Sequence, residues 1–361
     1  MSRRGITLLV AAGLALVLGV LAAVLPVPYV ILTPGPPTDT LGAVPGSSRD
    51  VISVTGAKTY DGGGHLYLTT VGVFPGSCND HPDLLRAMGA WFDSHEAVEP
   101  HQIICPPDQT SQAVQAENAD EMSQSQRDAM TAALLYLGYK PATRDVIFAS
   151  ISPSAPAAKV LQAGDIVKAV DGKAVNSPDE LRALIASTPV GGPIRVTVER
   201  HGSTMTLATT VTADPTTHQP RLGVQLDQNA TFRGVDVTIG IDPNDVGGPS
   251  AGLMFTLGII DKLTPGGLTG GKTIAGTGTI DGFGQVGPIG GIQQKIAAVS
   301  GFGPSDAPIV DASYFLAPAS ECADAKAAAP KSLVVIRVDT LATAVAALKA
   351  IKAGRTDFPR C

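Results

Sequence analysis

Asp242-Pro-Asn-Asp-Val-Gly-Gly-Pro-Ser250-Ala-Gly-Leu253 turns sharply and then becomes apolar. Two glycines and a proline set the turn before Ser250. The run Ala251–Leu263 that follows is long enough for a buried helix. A serine at the start of that helix lies beside free backbone N–H groups and the positive end of the helix dipole. Such a place suits a nucleophile, because the same N–H groups can hold a developing oxyanion. The alternative is a serine that only caps the helix.

A serine hydroxyl is a weak nucleophile until a neighbouring base takes its proton. No histidine follows His218, so a Ser-His-Asp triad within the C-terminal part is excluded. A serine–lysine pair is a further arrangement of the same chemistry. Lys295 lies 45 residues after Ser250, in Pro288-Ile-Gly-Gly-Ile-Gln-Gln-Lys295-Ile-Ala-Ala-Val299, where it is the only charge. A free lysine has a pKa of about 10.4, so it acts as a base near neutrality only when buried in apolar surroundings. The segment is consistent with such burial; a lysine on a solvated helix face is the alternative.

Pro249-Ser-Ala-Gly252, Gly276-Thr-Gly-Thr-Ile280 and Gly287-Pro-Ile-Gly-Gly-Ile-Gln-Gln-Lys295 resemble, in order and spacing, the proteolytic domain of Lon-type peptidases. The resemblance covers about residues 220–350. It implies that Ser250 is the nucleophile and Lys295 the general base. Thr277 would lie beside the lysine, and Gly248 and Pro249 would support the turn. Lon-type enzymes usually carry an acidic residue after the Thr-Gly pair, where this chain has Thr279. Lon-type domains commonly assemble as six-membered rings, so the resemblance also implies a hexamer.

Toward the N-terminus, Ile6–Leu25 runs for 20 residues without a charge, behind Arg3 and Arg4. At about 1.5 Å per residue that spans a hydrocarbon core of about 30 Å. The two arginines predict a cytoplasmic N-terminus and an extracytoplasmic remainder. A cleaved signal peptide is the alternative, but its apolar region is typically shorter, about 7–15 residues. We read a single-pass anchor in the cell membrane. In an exported chain, Cys78 can pair with Cys105 and Cys322 with Cys361. Four cysteines allow three connectivities, and free buried thiols are the other reading. His65, His81, His95 and His101 lack helical His-x-x-x-His spacing and any Cys-x-x-Cys beside them, so no metal is expected.

Residues 116–139 read as one helix, polar first and amphipathic later, ending near Gly138. Residues 144–213 read as a compact β-rich unit. It holds the strand Val146–Ile151, the run Gly164-Asp-Ile-Val-Lys-Ala-Val-Asp-Gly172, and a helix from Pro178 opened by Ser177-Pro-Asp-Glu180. A hairpin around His201-Gly202 closes it. This unit resembles a PDZ domain. The resemblance implies a peptide added as a strand between 146–151 and 178–187, against Val146, Ile147, Phe148, Leu181 and Leu184. The usual Gly-Φ-Gly-Φ carboxylate loop is absent; Leu137-Gly-Tyr139 is the nearest candidate. A PDZ fold that only braces the peptidase is the alternative.

Two glycine-rich segments invite nucleotide readings. Gly266-Gly-Leu-Thr-Gly-Gly-Lys-Thr273 fits the P-loop pattern, but a helix is predicted before it and a strand after it, the reverse of what phosphate binding needs. Gly282-Phe-Gly-Gln-Val-Gly287 is followed at once by Pro288 and reads as a hairpin or loop. The formal net charge of −6 gives no electrostatic case for nucleic acid.

The expected chain is an α+β multidomain protein. It comprises a cytoplasmic tip and transmembrane anchor (1–26), a small β-rich region with a connecting helix (27–143), a PDZ domain (144–213) and a mixed α/β Lon-type domain (220–361). The expected function is ATP-independent cleavage of unfolded or damaged exported or membrane proteins by a Ser-Lys dyad, with no cofactor. The alternative is a proteolytically silent PDZ scaffold at the membrane.

Overall fold

Ile274 and Ala275 are neighbours in one strand, and both are fully buried. Successive side chains of a strand point to opposite faces, so this strand is covered on both sides. In the computed structural model, which describes residues 3–107, 109–215, 217–300 and 310–361, Thr273–Gly276 is the middle strand of five. The order is Thr38–Asp39, His65–Leu68, Thr273–Gly276, Tyr314–Pro318, Val334–Val338. Thr273–Gly276 runs parallel to both neighbours, and only Thr38–Asp39 is antiparallel to its partner. One face of the sheet carries Leu66, Ile274, Leu316 and Ile336 against the helices Gly252–Leu263 and Leu341–Lys352. The other carries Ala275, Phe315 and Val335 against Ile292–Ala297 and Cys322–Ala328. Parallel sheets are stable when covered on both faces, and this one is.

The N-terminal region is not an independent unit, which corrects the boundary expected at residue 143. His65–Leu68 pairs directly with Thr273–Gly276, and Ile52–Thr55 pairs with Asp236–Ile239. Residues 38–68 therefore complete the C-terminal sheet system. A further three-stranded sheet, Val71–Phe74, Tyr29–Pro34 and Ala97–Pro100, lies at the N-terminal end. The disulfides Cys78–Cys105 and Cys322–Cys361 join Cα atoms 5.5 and 5.1 Å apart.

The predicted helix at 116–139 is longer and earlier, Ser111–Tyr136, with Thr110 accepting the Ala113 N–H as its cap. Its Met122, Ala129, Ala132 and Ala133 belong to the same core as Leu253 and Phe255. The antiparallel unit that follows has the strands Pro141–Ile151, Ile166–Val170, Pro193–Arg200 and Ser203–Thr210, and the helix Pro178–Ala186. Ser177 caps that helix by accepting the Glu180 N–H. His201 and Gly202 take the positive φ values of 49° and 75° that a two-residue hairpin needs. Its core, around Phe148, Leu181 and Val196, is separate from that of the parallel sheet.

The apolar helix Arg3–Val24 extends from the body with its span unburied. The sequence also reads as a strand at Pro308–Leu316; Pro308 and Ile309 lie outside the described residues, and Tyr314–Pro318 is the strand observed.

Candidate active site

The turn before the serine is built by backbone geometry and braced from the long helix. Gly248 has φ +81°, a left-handed conformation that favours glycine. Its N–H donates to Asn118 O at 2.9 Å. Ser125 Oγ donates to Pro249 O at 2.9 Å. A Cβ on Gly252 would meet Ser125 Oγ at 2.7 Å, so close approach requires glycine there. The serine helix starts at Gly252 with Ala251 as its N-cap residue and no side-chain cap bond. Ser250 is thus not the cap of that helix, and its hydroxyl points elsewhere.

It points at Lys295. The lysine helix Ile292–Ala297 follows Gly291, whose φ of +65° turns the chain into it. Lys295 is 3 % exposed. Its Nζ donates to Ser250 Oγ at 2.8 Å and to Thr277 Oγ1 at 3.1 Å. Thr277 directly follows the middle strand, and its hydroxyl donates to Ser250 O at 3.1 Å. The Gly278 N–H donates to the same oxygen at 2.9 Å. The Ser250 carbonyl is thereby fixed, and the hydroxyl is held between nucleophilic freedom and the amine. Burial pushes the Lys295 ammonium down to about 7, against a smaller opposing pull from Glu321. Among the described residues, no backbone oxygen accepts from the N–H of Ser250 or Ala251, so both are free to receive an anionic oxygen.

Ser250 and Lys295 open onto a cleft of about 810 Å³. Leu32, Val71, Met122, Val246 and Ile289 give it apolar walls, and Glu121 adds a carboxyl raised by burial and by the nearby Glu117. Gly248, Pro249 and Thr279 line it as well. Thr279 occupies a short hairpin strand facing Gly287. The sequence reading missed Asn118, Glu121, Met122 and Ser125. They come from a helix that the chain brings back across more than a hundred residues, and only their spacing on one helix face could have marked them.

The glycine-rich segment Gly266–Thr273 joins the serine helix to the middle strand. Its Gly266 and Gly267 carbonyls accept from Lys352 Nζ at 2.6 and 2.7 Å. A loop that turns carbonyls toward a cation has the wrong polarity for phosphate.

The peptide groove expected on the β-rich unit is a correction. Val146, Phe148 and Leu181 are wholly buried and Ile147 is 8 % exposed, all as core, and Leu184 packs on the same core. The outer edge of Pro141–Ile151 is taken by the chain's own strand Val224–Phe232, antiparallel, with Leu226 opposite Phe148 and Gln228 opposite Val146. Leu222, 1 % exposed, joins the same cluster. The Leu137, Gly138 and Tyr139 N–H groups close the long helix on Ala133, Leu135 and Leu134 carbonyls, which leaves none for a carboxylate.

A PDZ-domain family profile matches residues 122–211, so the chain contains a PDZ domain. The match begins near the middle of the long helix rather than at 144. The magnetosome formation protease MamE of Magnetospirillum gryphiswaldense is 40 % identical over 72 residues, 19 % of this chain and 9 % of the relative. The matched part thus spans under a tenth of that protein. Among solved structures, the PDZ domain of an SdrC-like protein of Listeria monocytogenes is 30 % identical. It covers 22 % of this chain and 85 % of its own, with a TM-score of 0.22. The counterpart from Listeria innocua is 26 % identical over 23 % and 92 %, with the same TM-score of 0.22.

Proposed function

We propose that the protein is a membrane-anchored serine endopeptidase of the Lon type, working through a Ser250–Lys295 dyad. The observation that carries this reading is a buried amine 2.8 Å from the serine hydroxyl, with a proton affinity near neutrality. Neutral Lys295 takes the Ser250 proton as Oγ attacks a peptide carbonyl. The Ser250 and Ala251 N–H groups receive the oxyanion. Lys295 returns the proton to the leaving amine, and a water activated by the same amine hydrolyses the acyl-enzyme. Thr277 positions the amine. No cofactor or nucleotide enters these steps.

PDZ domains bind peptides, and the N-terminal helix has the length and composition of a membrane span. In this conformation the PDZ groove is closed by Val224–Phe232, so the domain braces the peptidase. Two disulfides fit an oxidising, extracytoplasmic compartment. A hexameric ring and unfolded exported or membrane proteins as substrates follow from the Lon-type reading.

The test is cleavage of an unfolded protein such as β-casein by the full chain in detergent, without ATP, beside Ser250→Ala and Lys295→Ala. Cleavage by the wild type that both variants lose, with the fold and assembly size kept, supports the dyad. Cleavage that survives Ser250→Ala sinks it. No cleavage by any of the three favours the scaffold reading.

A further inference from the structure

The helix Leu84–Phe92 begins where the apolar N-terminal helix ends. The Leu84 N–H donates to Leu25 O at 3.1 Å, and the Val27 N–H donates to Pro82 O at 3.0 Å. Asp83 caps the helix by accepting the Arg86 N–H at 2.8 Å. Its inner side is small: Ala87 and Ala90 are 5 % and 1 % exposed. Its outer side is large and apolar. Leu85, Met88, Trp91 and Phe92 are 49, 48, 71 and 85 % exposed. The spacing of 85, 88 and 92 makes one stripe along the helix. Met88 and Trp91 also border an apolar notch of about 370 Å³ with Tyr29 and Val98. The only charge in the helix, Arg86, is paired with Glu96 through two bonds of 2.6 and 2.7 Å. The outer face is therefore apolar and electrically silent.

Soluble surfaces rarely leave such side chains together without a partner. The neighbouring helix says what the partner is. Arg3–Val24 has 22 residues, about 33 Å of helix, which matches the hydrocarbon core. Its C-terminal end therefore lies at the bilayer surface, and Leu84–Phe92, bonded to Leu25, lies there too. Tryptophan is favoured in that layer, and helices that lie in it carry tryptophan, phenylalanine and leucine on the buried face.

We propose that Leu84–Phe92 is an interfacial foot whose Leu85, Met88, Trp91 and Phe92 enter the outer leaflet of the same bilayer that the N-terminal helix spans. The proposal rests on the anchor reading. It also places the active site. Tyr29 of the notch and Leu32 of the catalytic cleft lie on one strand, three residues apart, or roughly 10 Å. Docking would hold the cleft close above the membrane, where it meets polypeptide segments adjacent to a bilayer. With no cationic residue on the face, the contact needs no anionic lipid.

Trp91 is the only tryptophan in the chain, so its fluorescence reports this contact alone. The full chain is reconstituted into zwitterionic phosphatidylcholine vesicles and floated on a density gradient. Trp91 emission is then compared in plain vesicles and in vesicles of dibromo-phosphatidylcholine. The proposal expects co-flotation, blue-shifted emission and about twofold or greater quenching by the brominated lipid. It expects Leu85→Glu with Met88→Glu to float equally but lose most of the quenching. Flotation without quenching overturns the proposal and leaves the anchor standing. Quenching that the double variant keeps unchanged overturns it too, as does blue emission that vanishes on dilution without lipid quenching, which assigns the face to a second copy. Failure to float removes the anchor reading and the foot together.

Discussion

Lys295 Nζ lies 2.8 Å from Ser250 Oγ with the lysine side chain almost wholly enclosed. Only the neutral amine can take the serine proton, and burial brings its pKa down to about 7. Cleavage of peptide substrate should therefore rise with pH on an acid limb near neutrality. Glu321 holds the lysine up by its charge, so Glu321→Gln should move the limb to lower pH. A limb that stays fixed, or moves upward, in the Glu321→Gln enzyme contradicts this account of the base.

The same burial has a signature in stability. Unfolded, Lys295 keeps its proton up to about pH 10.4; folded, it loses it near 7. Between those values the unfolded state binds more protons, so this residue's contribution improves as pH rises. Lys295→Met removes a buried ammonium while keeping an apolar stem. It should abolish cleavage yet raise stability at pH 7, by roughly 1–3 kcal/mol, with a gain that shrinks toward pH 10. Calorimetry across that range decides it; a destabilised variant at pH 7 would mean that the amine is stabilising as a cation.

Thr277 touches both partners, accepting from Lys295 Nζ and donating to Ser250 O. On the proposed mechanism it acts through them and not on substrate. Thr277→Val should lower kcat about 10- to 100-fold with KM little changed, and should displace the acid limb. Thr277→Ser should restore most of the rate. Equal losses in the Val and Ser enzymes would assign Thr277 to packing alone.

The meeting of Ser250 and Lys295 had local signs in the sequence: Gly-Gly-Pro-Ser before an apolar run, and one lysine in an apolar segment. The hairpin at His201-Gly202 and the cap at Ser177 were legible for the same reason. Strand partnership was not. His65–Leu68 meets Thr273–Gly276 from more than two hundred residues away, and nothing in either segment names the other. The long helix was visible, yet its hold on Pro249 through Ser125 was not, because a serine on a helix gives no local sign of its acceptor. The sequence reads as a strand at Leu222–Leu226, and the observed strand runs on as Val224–Phe232. That it closes the PDZ groove depends on which edge it finds.

That closure has a measurable cost if undone. Leu222 lies outside the 122–211 match but is buried in the PDZ core beside Leu181 and Phe148. Leu222→Ala should therefore destabilise the PDZ unit by about 2–4 kcal/mol, and hydrogen exchange should quicken along Pro141–Ile151. A loss below about 1 kcal/mol, with exchange unchanged, would mean that the segment is not part of that core.

Asp128 of the long helix and Asp227 of Val224–Phe232 are both buried, at 5 % and 7 % exposure. Burial raises Asp227 too, but it accepts the N–H groups of Gly282 and Gln228 at 2.8 and 2.7 Å, which oppose that rise, so of the two it suits the ionised role. Gly282 must be glycine here, since a Cβ would strike the Gln228 carbonyl. Asp128 is pushed up to about 9, first by burial and then by the Asp227 charge, and holds the proton. The pair thus ties the long helix to the PDZ-closing strand and to the hairpin beside the lysine helix. The unfolded aspartate releases its proton near pH 3.9. Between there and about 9 the folded state binds more protons, so stability falls as pH rises through that window. Asparagine keeps the geometry of the protonated acid, donating to Asp227 and accepting from Gln124 as Asp128 does now at 2.6 Å. Asp128→Asn should therefore be the more stable protein, with an advantage that grows from pH 5 to pH 9 and reaches about 1 kcal/mol or more at pH 8. Parallel melting curves across that range would show that Asp128 is ionised in the fold and that the clamp is an ordinary hydrogen bond.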